Sequence, residues 1–174
     1  MINHAIHLLT PAEAHTRREA LTELLVDAVE AGSGVNFVWP MTRAKAEKWW
    51  DGALSSHARG ERIILIAEAE NRVDGTVQLI PAPQENQSFR ADVAKLLVHR
   101  RARNQGIGAA LMCRLEEEAR KIGRTLLTLD TETGGAGERL YKRLGWVKYG
   151  EIPGYAMSAD NQARIPASFF YKVL

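Results

Sequence analysis

The sequence predicts an α/β protein in which about four helices pack on a mixed, mostly antiparallel sheet of about seven strands. Two observations carry this prediction. Short β-rich runs alternate with stretches in which apolar residues recur at helical spacing, and their order is β-α-α-β-β-β-α-β-α-β-β. The chain has 174 residues, which suffice for one core, so residues 1–174 are expected to form a single domain.

The first half of the chain is predicted to hold three strands and two helices. Thr10 can cap the first helix, because Pro11 follows at the first helical position and Glu13 is placed to complete a capping box. The predicted elements are a strand over Ile2–Leu9, a helix from Thr10 to Gly32, a helix from Thr42 to Gly60, and a hairpin of Ile63–Ala69 with Val73–Ile80.

The second half begins with a predicted strand over Arg90–Val98. Side chains alternate along a strand, so one face should carry Asp92, Ala94, Leu96 and Val98, and the other Val93, Lys95 and Leu97. The further elements are a helix over Gly106–Ile122, a strand over Thr125–Asp130, a helix over Glu138–Leu144, and strands over Trp146–Ile152 and Ser168–Val173, with a loop that begins at Pro153.

Composition and charge argue against several classes of function. Lys+Arg 23 against Asp+Glu 21 leaves a net charge of +2, too small for a general affinity for nucleic acid. No uncharged apolar run approaches the roughly 20 residues that span a bilayer. The single Cys113 cannot form an internal disulfide, and no Cys/His cluster has zinc-ligand spacing. We therefore expect a cytoplasmic protein without metal, nucleic-acid or membrane partners.

A glycine-containing turn, Arg103-Asn104-Gln105-Gly106-Ile107-Gly108-Ala109, joins a predicted strand to the long helix. Such a turn offers backbone N–H groups and the positive end of the helix dipole to a pyrophosphate. Gly106 and Gly108 allow close approach, Arg103 adds fixed positive charge, and Arg100 and Arg101 could help on the nucleotide side. A purely conformational role is the alternative. The turn lacks the third glycine of a dinucleotide site and the Gly-Lys-Ser/Thr of a P-loop, which disfavours NAD and ATP.

With Arg103, Gly106 and Gly108 so spaced, the chain resembles the GNAT superfamily of N-acetyltransferases, whose acetyl-CoA motif is Arg/Gln-x-x-Gly-x-Gly/Ala. The segment Leu140–Trp146 is similar to the family's closing signature, which usually ends Gly-Phe. The asparagine often found before the last helix is replaced by Thr131–Gly135, so an asparagine contact to CoA is not expected here. The segments 129–132 and 150–155 resemble the tabtoxin resistance acetyltransferase branch.

The resemblance implies a GNAT-like fold, acetyl-CoA as co-substrate, and direct attack by the primary amine of an acceptor in a ternary complex. Pantetheine would lie between the strands Asp92–Val98 and Leu126–Thr131 and pair with the backbone of Leu96, Leu97 and Val98. A strand N–H near the thioester would stabilise developing negative charge. The resemblance favours a small amino-acid-like or dipeptide-like amine, such as a β-lactam toxin, over a histone tail or an aminoglycoside.

An alkylammonium has a pKa of about 10.4 and cannot attack until it loses a proton. The candidate bases are Asp130 first, Asp92 second and Glu132, with a water relay as the alternative. Each acid could instead cap a turn or pair with an arginine. Tyr141 stands where the family commonly protonates the departing CoA thiolate, although a helix tyrosine packed in the core would look the same.

Three tryptophans, Trp39, Trp49 and Trp50, could line the acceptor pocket, and core packing is the simpler reading of the last two. The rival functions are a catalytically silent acyl-CoA-binding regulatory protein and, more remotely, nucleic-acid binding through Arg100, Arg101 and Arg103. The final strands leave an exposed edge, so both a monomer and a homodimer are compatible with the sequence.

Overall fold

The computed structural model describes residues 4–174, and this part of the chain contains seven strands and four α-helices. In chain order they are β1 (Ala5–Leu8), α1 (Pro11–Glu30), α2 (Arg43–Ala58), β2 (Ile63–Ala69), β3 (Arg72–Pro81), β4 (Arg90–Val98), α3 (Ile107–Lys121), β5 (Leu126–Glu132), α4 (Ala136–Arg143), β6 (Val147–Met157) and β7 (Arg164–Val173). The predicted fold class and element order are confirmed. Residues 2 and 3 of the first predicted strand lie outside the described residues.

The strands form one mixed sheet in the order β1-β2-β3-β4-β5-β7-β6. Every neighbouring pair is antiparallel except β4 and β5, which run parallel. The parallel pairing is short, because it joins only Arg90–Asp92 to Leu126–Thr128. Beyond these residues both strands continue without pairing to each other, so the sheet splits open between their carboxyl ends.

Helices cover the two faces of the sheet and create two clusters of buried side chains. On the α1–α2 face, Leu24 and Trp50 pack against Ile64 and Ile66 of β2. The α3–α4 face carries the second cluster, which includes Leu65, Leu111, Leu127, Tyr141 and Phe170. Residues that alternate along β2 thus enter different clusters, as expected for a strand buried on both faces.

The predicted start of α1 is confirmed. The Thr10 hydroxyl oxygen accepts a hydrogen bond from the Glu13 amide at 3.2 Å, and the Glu13 carboxylate accepts one from the Thr10 amide at 2.9 Å. Pro11 occupies the first helical position. These two reciprocal bonds satisfy amide groups that have no partner inside the helix.

The strict alternation predicted for β4 is wrong. Val93 packs in the α3–α4 cluster, but Leu97 packs in the α1–α2 cluster. The cause is a β-bulge, because the register against β3 shifts between Ala94 and Leu97 and Lys95 adopts a φ of 53°. One extra residue on the bulged strand reverses the faces of the residues that follow it.

The loop predicted to begin at Pro153 is also wrong, because β6 continues through Pro153, Gly154 and Tyr155 to Met157. The longer β7 supplies a pairing partner, and the irregular register between Ile152 and Ala156 accommodates the proline. β6 forms one edge of the sheet and is exposed along nearly its whole length. None of the helices in residues 4–174 is long and apolar enough to cross a membrane.

Candidate active site

A cleft of about 530 Å³ lies where β4 and β5 separate. Its walls come from the end of α1 and the loop behind it, the end of β4, the first turn of α3, the end of β5 and α4. The lining includes Gly32–Val35, Leu96–Val98, Ala102–Asn104, Gly106–Ala109, Thr131, Glu132, Gly135–Gly137, Leu140, Tyr141 and Arg143. The topology of the sheet therefore creates the cleft, and the helix termini line it.

The first turn of α3 forms one wall of the cleft. Gly106 is the N-cap residue and adopts a φ of 81°, a left-handed conformation that favours glycine. No side chain caps this helix, so the first amides of α3, those of Ile107, Gly108 and Ala109, have no side-chain partner there. Together with the helix dipole, they make this wall suitable for an anionic group.

Close packing at Gly108 also favours glycine. A Cβ atom at this position would lie 3.3 Å from Cδ2 of Leu140 on α4 and 3.9 Å from Cγ2 of Val98 on β4. The Arg103 Nε donates a hydrogen bond to the Val98 carbonyl at 3.1 Å. Arg103 makes no ion pair with any acid among the described residues, which leaves its charge available at the cleft.

Nine of the ten residues predicted to bind the cofactor line this one cleft, namely Leu96, Leu97, Val98, Arg103, Asn104, Gly106, Ile107, Gly108 and Ala109. The tenth, Gln105, is exposed and lies outside the lining.

The nucleotide-side assistance expected from Arg100 and Arg101 is not what the structure shows. Arg100 pairs with Asp27, and Arg101 pairs with Asp74 at 2.7 Å and Glu23 at 2.7 Å. Both guanidinium groups hold the segment after β4 to α1 and β3. Their charge is neutralised by acids that are distant in sequence.

Asp130 and Asp92 lie on the same face of the sheet, the α1–α2 face. Leu127 and Leu129 of β5 enter the α3–α4 cluster, so Thr128 and Asp130 point to the opposite face by alternation. Asp92 is paired with Thr128 in the sheet and shares that face. It accepts hydrogen bonds from the Thr128 hydroxyl and, at 2.5 Å, from Arg90 Nη1. Asp92 is thus an ion-paired carboxylate.

Asp130 has different surroundings. Its side chain makes no ion pair with the basic groups of residues 4–174 and is exposed. Unlike Thr131 and Glu132, neither Asp130 nor Asp92 lines the cleft. Surrounding protein raises the pKa of Asp130, with the charge of Lys95 opposing and that of Asp92 adding to the shift. Glu132 follows two residues later on the same strand and lines the cleft.

Tyr141 also lines the cleft and is 7% exposed. Its ring packs at centroid distances of 5.9 Å from Trp146 and 6.0 Å from Phe170. Burial raises the pKa of the Tyr141 phenol, and the nearby Asp130 adds to the shift. The hydroxyl therefore stays protonated at neutral pH. The sequence left core packing and a place at the cleft as alternatives for Tyr141. In the structure its side chain does both.

Comparison with known proteins adds a family to this geometry. The model of the Acetyltransferase (GNAT) family matches residues 18–146, well over half of the chain.

The chain belongs to the GNAT family.

Relatives of known sequence and structure agree with this GNAT assignment. An uncharacterized N-acetyltransferase encoded in the hisH-hisA intergenic region of Azospirillum brasilense is 34% identical over 106 residues, 60% of this chain and 61% of the relative. The match therefore spans less than two thirds of that relative's length.

Solved structures show the same GNAT fold. Ribosomal-protein-alanine N-acetyltransferase from Brucella melitensis has a TM-score of 0.77 at 26% identity, covering 98% of this chain and 99% of that one. The yncA protein of Salmonella typhimurium, solved with its cofactor acetyl-CoA, has a TM-score of 0.77 at 19% identity, covering 98% and 94%. The mixed seven-stranded sheet with four helices is thus a GNAT fold.

Sequence reasoning missed one group of residues on the α1–α2 face of this GNAT chain. Lys95 is turned by the bulge toward Phe37 and Trp49, with its Nζ 5.5 Å and 5.3 Å from the two ring centroids. Trp50 is fully buried, Trp49 is partly buried and Trp39 is exposed. Trp49 was already a candidate for the acceptor pocket, but nothing in the sequence reveals the bulge that brings Lys95 to it.

Proposed function

We propose that this protein is an acetyl-CoA-dependent N-acetyltransferase that acetylates the primary amine of a small amino-acid-like or dipeptide-like acceptor. One observation carries the proposal: a single cleft combines an uncapped, glycine-containing helix N-terminus with the separated ends of β4 and β5. The first feature suits a pyrophosphate. The second leaves strand edges whose backbone groups can pair with an extended chain such as pantetheine.

The residues present fit CoA. Gly106 and Gly108 leave room beside the first α3 amides, and Arg103 supplies positive charge next to them. The unpaired edge at Leu96, Leu97 and Val98 suits hydrogen bonding to pantetheine amides. Bound acetyl-CoA would supply a thioester that is activated for attack by an amine. A backbone N–H of the bulged strand would stabilise the negative charge that develops on the thioester oxygen.

Asp130 is the preferred proton acceptor for the incoming ammonium group. Its carboxylate has no ion-pair partner among the described side chains, and its raised pKa makes it a better base than an ordinary aspartate. Asp92 is less suitable, because its Oδ1 accepts hydrogen bonds from both Arg90 and Thr128. We assign Asp92 to keeping negative charge near Asp130, and Glu132 to the wall of the cleft.

Tyr141 is the preferred proton donor to the departing thiolate. The phenol stays protonated because its pKa is raised, and the hydroxyl-bearing ring lines the cleft near Leu140. Transfer from a phenol to a thiolate is uphill, since the ordinary pKa values are about 10 and about 8.5. The raised pKa of Tyr141 makes this transfer more unfavourable still. The step is useful only if it is brief and coupled to product release.

The resemblance of segments 129–132 and 150–155 to tabtoxin resistance acetyltransferases supports an amino-acid-like toxin as one possible acceptor class. Phe169 is paired with Asp130 in the sheet, and its ring lies 5.1 Å from that of Tyr155. These rings offer an apolar surface beside the proposed base.

The test is release of free thiol from acetyl-CoA in the presence of amino acids, dipeptides, polyamines and aminoglycosides, with CoA binding measured in parallel. The expected result is turnover with one or more amino-acid-like amines. CoA binding without turnover on any amine would contradict the proposal and favour the alternative, a catalytically silent acyl-CoA-binding regulatory protein. Failure to bind CoA would contradict both.

A further inference from the structure

A second cavity, of about 420 Å³, lies between α2 and the start of β2. Its lining is Lys45, Lys48, Trp49, Gly52, Ala53 and Arg62. We call this cavity together with the adjacent Lys95 the basic pocket. Trp49 joins its parts, because the indole lines the cavity beside Arg62 and lies 5.3 Å from the Lys95 Nζ.

The basic pocket holds positive charge without a counter-ion. No carboxylate of the described chain lies within ion-pair distance of Lys45, Lys48, Arg62 or Lys95. By contrast, the partly buried Arg101 and Lys172 are paired with Asp74 and Glu116. A half-buried cation is costly unless an anion neutralises it.

Arg62 is also left with unused donors. Its Nη1 donates to the Gln78 Oε1, but its Nε is buried and has no hydrogen-bond partner in residues 4–174, and neither does the Gln78 Nε2. A buried polar group without a partner costs free energy and in a native protein calls for an explanation. Arg62 lines the cavity, so an acceptor group bound there would complete the hydrogen bonding of its guanidinium, whereas Gln78 is fully buried and lies outside the lining.

Lys95 also lies in the excess positive charge of the basic pocket. Its Nζ donates to the Val35 carbonyl at 2.9 Å. Burial and the charge of Arg62 lower the pKa of Lys95 to about 8, and Asp130 opposes this shift. Lys95 thus lies close enough to both Arg62 and the proposed base for their charges to act on it.

We infer that Arg62 and Lys95 bind a carboxylate of the acceptor, while its amine lies toward Asp130. This inference rests on the proposed function and narrows it to amines that carry a carboxylate, such as amino acids and short peptides. The planar guanidinium of Arg62 matches a carboxylate, and Lys95 adds a point charge. The negative charge of Asp130 acts on Lys95 and suits an ammonium group.

The experiment compares kcat/KM for matched acceptors that differ only at the carboxylate: amino acids and dipeptides, their amides, and the phosphate analogue phosphoethanolamine. The variants are Arg62→Gln and Lys95→Gln, and Arg59→Gln is the control, because Arg59 is exposed and paired with Glu61 at 2.8 Å. We expect each pocket variant to lose ~10- to 100-fold in kcat/KM for carboxylate acceptors only, as for the loss of a charged hydrogen bond. Arg59→Gln should match the wild type.

A structural role for either cation would have a different signature. Loss of the Lys95 bond to Val35, or of the Arg62 bond to Gln78, would then lower the melting temperature and reduce turnover of amides and carboxylates equally. That result would overturn the inference. An equal or higher melting temperature, with the loss confined to carboxylates, supports it, because each substitution removes an uncompensated like charge.

The failure of this inference and that of the proposed function can be told apart. Turnover of amines without preference for a carboxylate, or with a preference for phosphoethanolamine, overturns the carboxylate pocket and leaves the acetyltransferase intact. If no amine is acetylated, a thermal-shift titration with N-acetylglycine and succinate, against their amides, tests the pocket directly. If the acids stabilise the wild type but not Arg62→Gln, the result supports the pocket. If they do not stabilise the wild type, the result overturns the pocket.

Discussion

At the scale of single residues, Asp130 and Asp92 are both aspartates on the same face of the sheet. Of the two, only Asp92 forms an ion pair with an arginine of the described chain. The side chain of Asp130 is solvent-exposed, but the protein around it desolvates the carboxylate in part, which outweighs the charge of Lys95 and raises the pKa of Asp130. A base must be ionised to act, so the acid limb of the pH–rate profile should lie above the usual pKa of an aspartate.

We predict that Asp130→Asn lowers kcat by ~100-fold or more and removes that acid limb, as expected for loss of a general base. The control is Glu132→Gln, which removes an acid two residues later on the same strand and should retain most of the activity. Initial rates of both variants are measured between pH 5 and 9. Full turnover and an unaltered profile in Asp130→Asn would exclude Asp130 as the base.

The same substitution has a predicted effect on stability. Because the pKa of Asp130 is higher in the folded state than in the unfolded one, its ionisation weakens folding as the pH rises. Asp130→Asn should therefore leave the melting temperature at pH 7 unchanged or raise it. A marked fall in melting temperature would show that the ionised carboxylate stabilises the fold.

In Tyr141 the ring packs in the core and the hydroxyl is the proposed proton donor, so one substitution can separate the two roles. Tyr141→Phe keeps the ring against Trp146 and Phe170, so the melting temperature should change little. Loss of the hydroxyl should lower kcat by ~100-fold while CoA affinity stays near that of the wild type. Steady-state kinetics measures the loss of proton donation, and calorimetric titration measures the CoA affinity. Wild-type kcat would show that Tyr141 only packs.

At the scale of secondary-structure elements, the first turn of α3 combines an uncapped helix end with a close contact to α4. Gly108→Ala should favour the helix by about 1 kcal/mol through propensity but place a Cβ 3.3 Å from Leu140 at the wall of the cleft. We predict unchanged or higher stability together with about fivefold weaker CoA binding. Gly52→Ala in α2, where a Cβ meets no atom within 4 Å, should keep wild-type CoA affinity.

The start of α1 gives a purely structural prediction. Thr10→Ala removes the hydroxyl that caps the Glu13 amide and should lower the free energy of unfolding by about 1 kcal/mol. Thr16→Ala removes a hydroxyl that bonds the Glu13 carbonyl inside the helix and should be neutral or stabilising. Urea unfolding of the two variants measures the difference. Equal destabilisation would mean that the cap contributes nothing specific.

At the scale of the whole molecule, one buried carboxylate ties several elements together. Burial by itself would raise the pKa of Asp74, but hydrogen bonds from His4, Arg101 and Arg72 outweigh it and lower the pKa to about 2. These bonds link β3 to the segment before β1 and to the turn that leads into α3. The turn proposed to bind CoA is thus held to β3 by a charge cluster outside the cleft.

The sign of the pH effect follows from this lowered pKa. Asp74 stabilises the fold above its unfolded pKa of about 4, and the contribution is lost as the pH falls toward 2. Asp74→Asn should cost about 2 kcal/mol at pH 7 and flatten the acid dependence of stability in that window. Urea unfolding at pH 7 and pH 3 tests this. The exposed, arginine-paired Asp51→Asn should have little effect at either pH.

Local chemistry explains how much of this protein could be predicted. Caps, glycine stops and apolar periodicity involve residues a few positions apart, so the order of elements and the capping box at Thr10 followed directly from the sequence. The turn at Gly106 and Gly108 was predicted for the same reason. The bulge at Lys95 was not, because its cause lies in the register against β3.

The sequence by itself determined the α/β class, the turn at the start of α3 and the GNAT resemblance, because each depends on short-range spacing. Only the tertiary structure decided which charges are free. It paired Arg100 and Arg101 with distant acids and joined Asp92 to Arg90. It left Asp130, Arg62 and Lys95 without counter-ions among residues 4–174. Ion pairing and burial depend on residues brought together across the sheet, so only the fold separates a candidate active site from a structural ion pair.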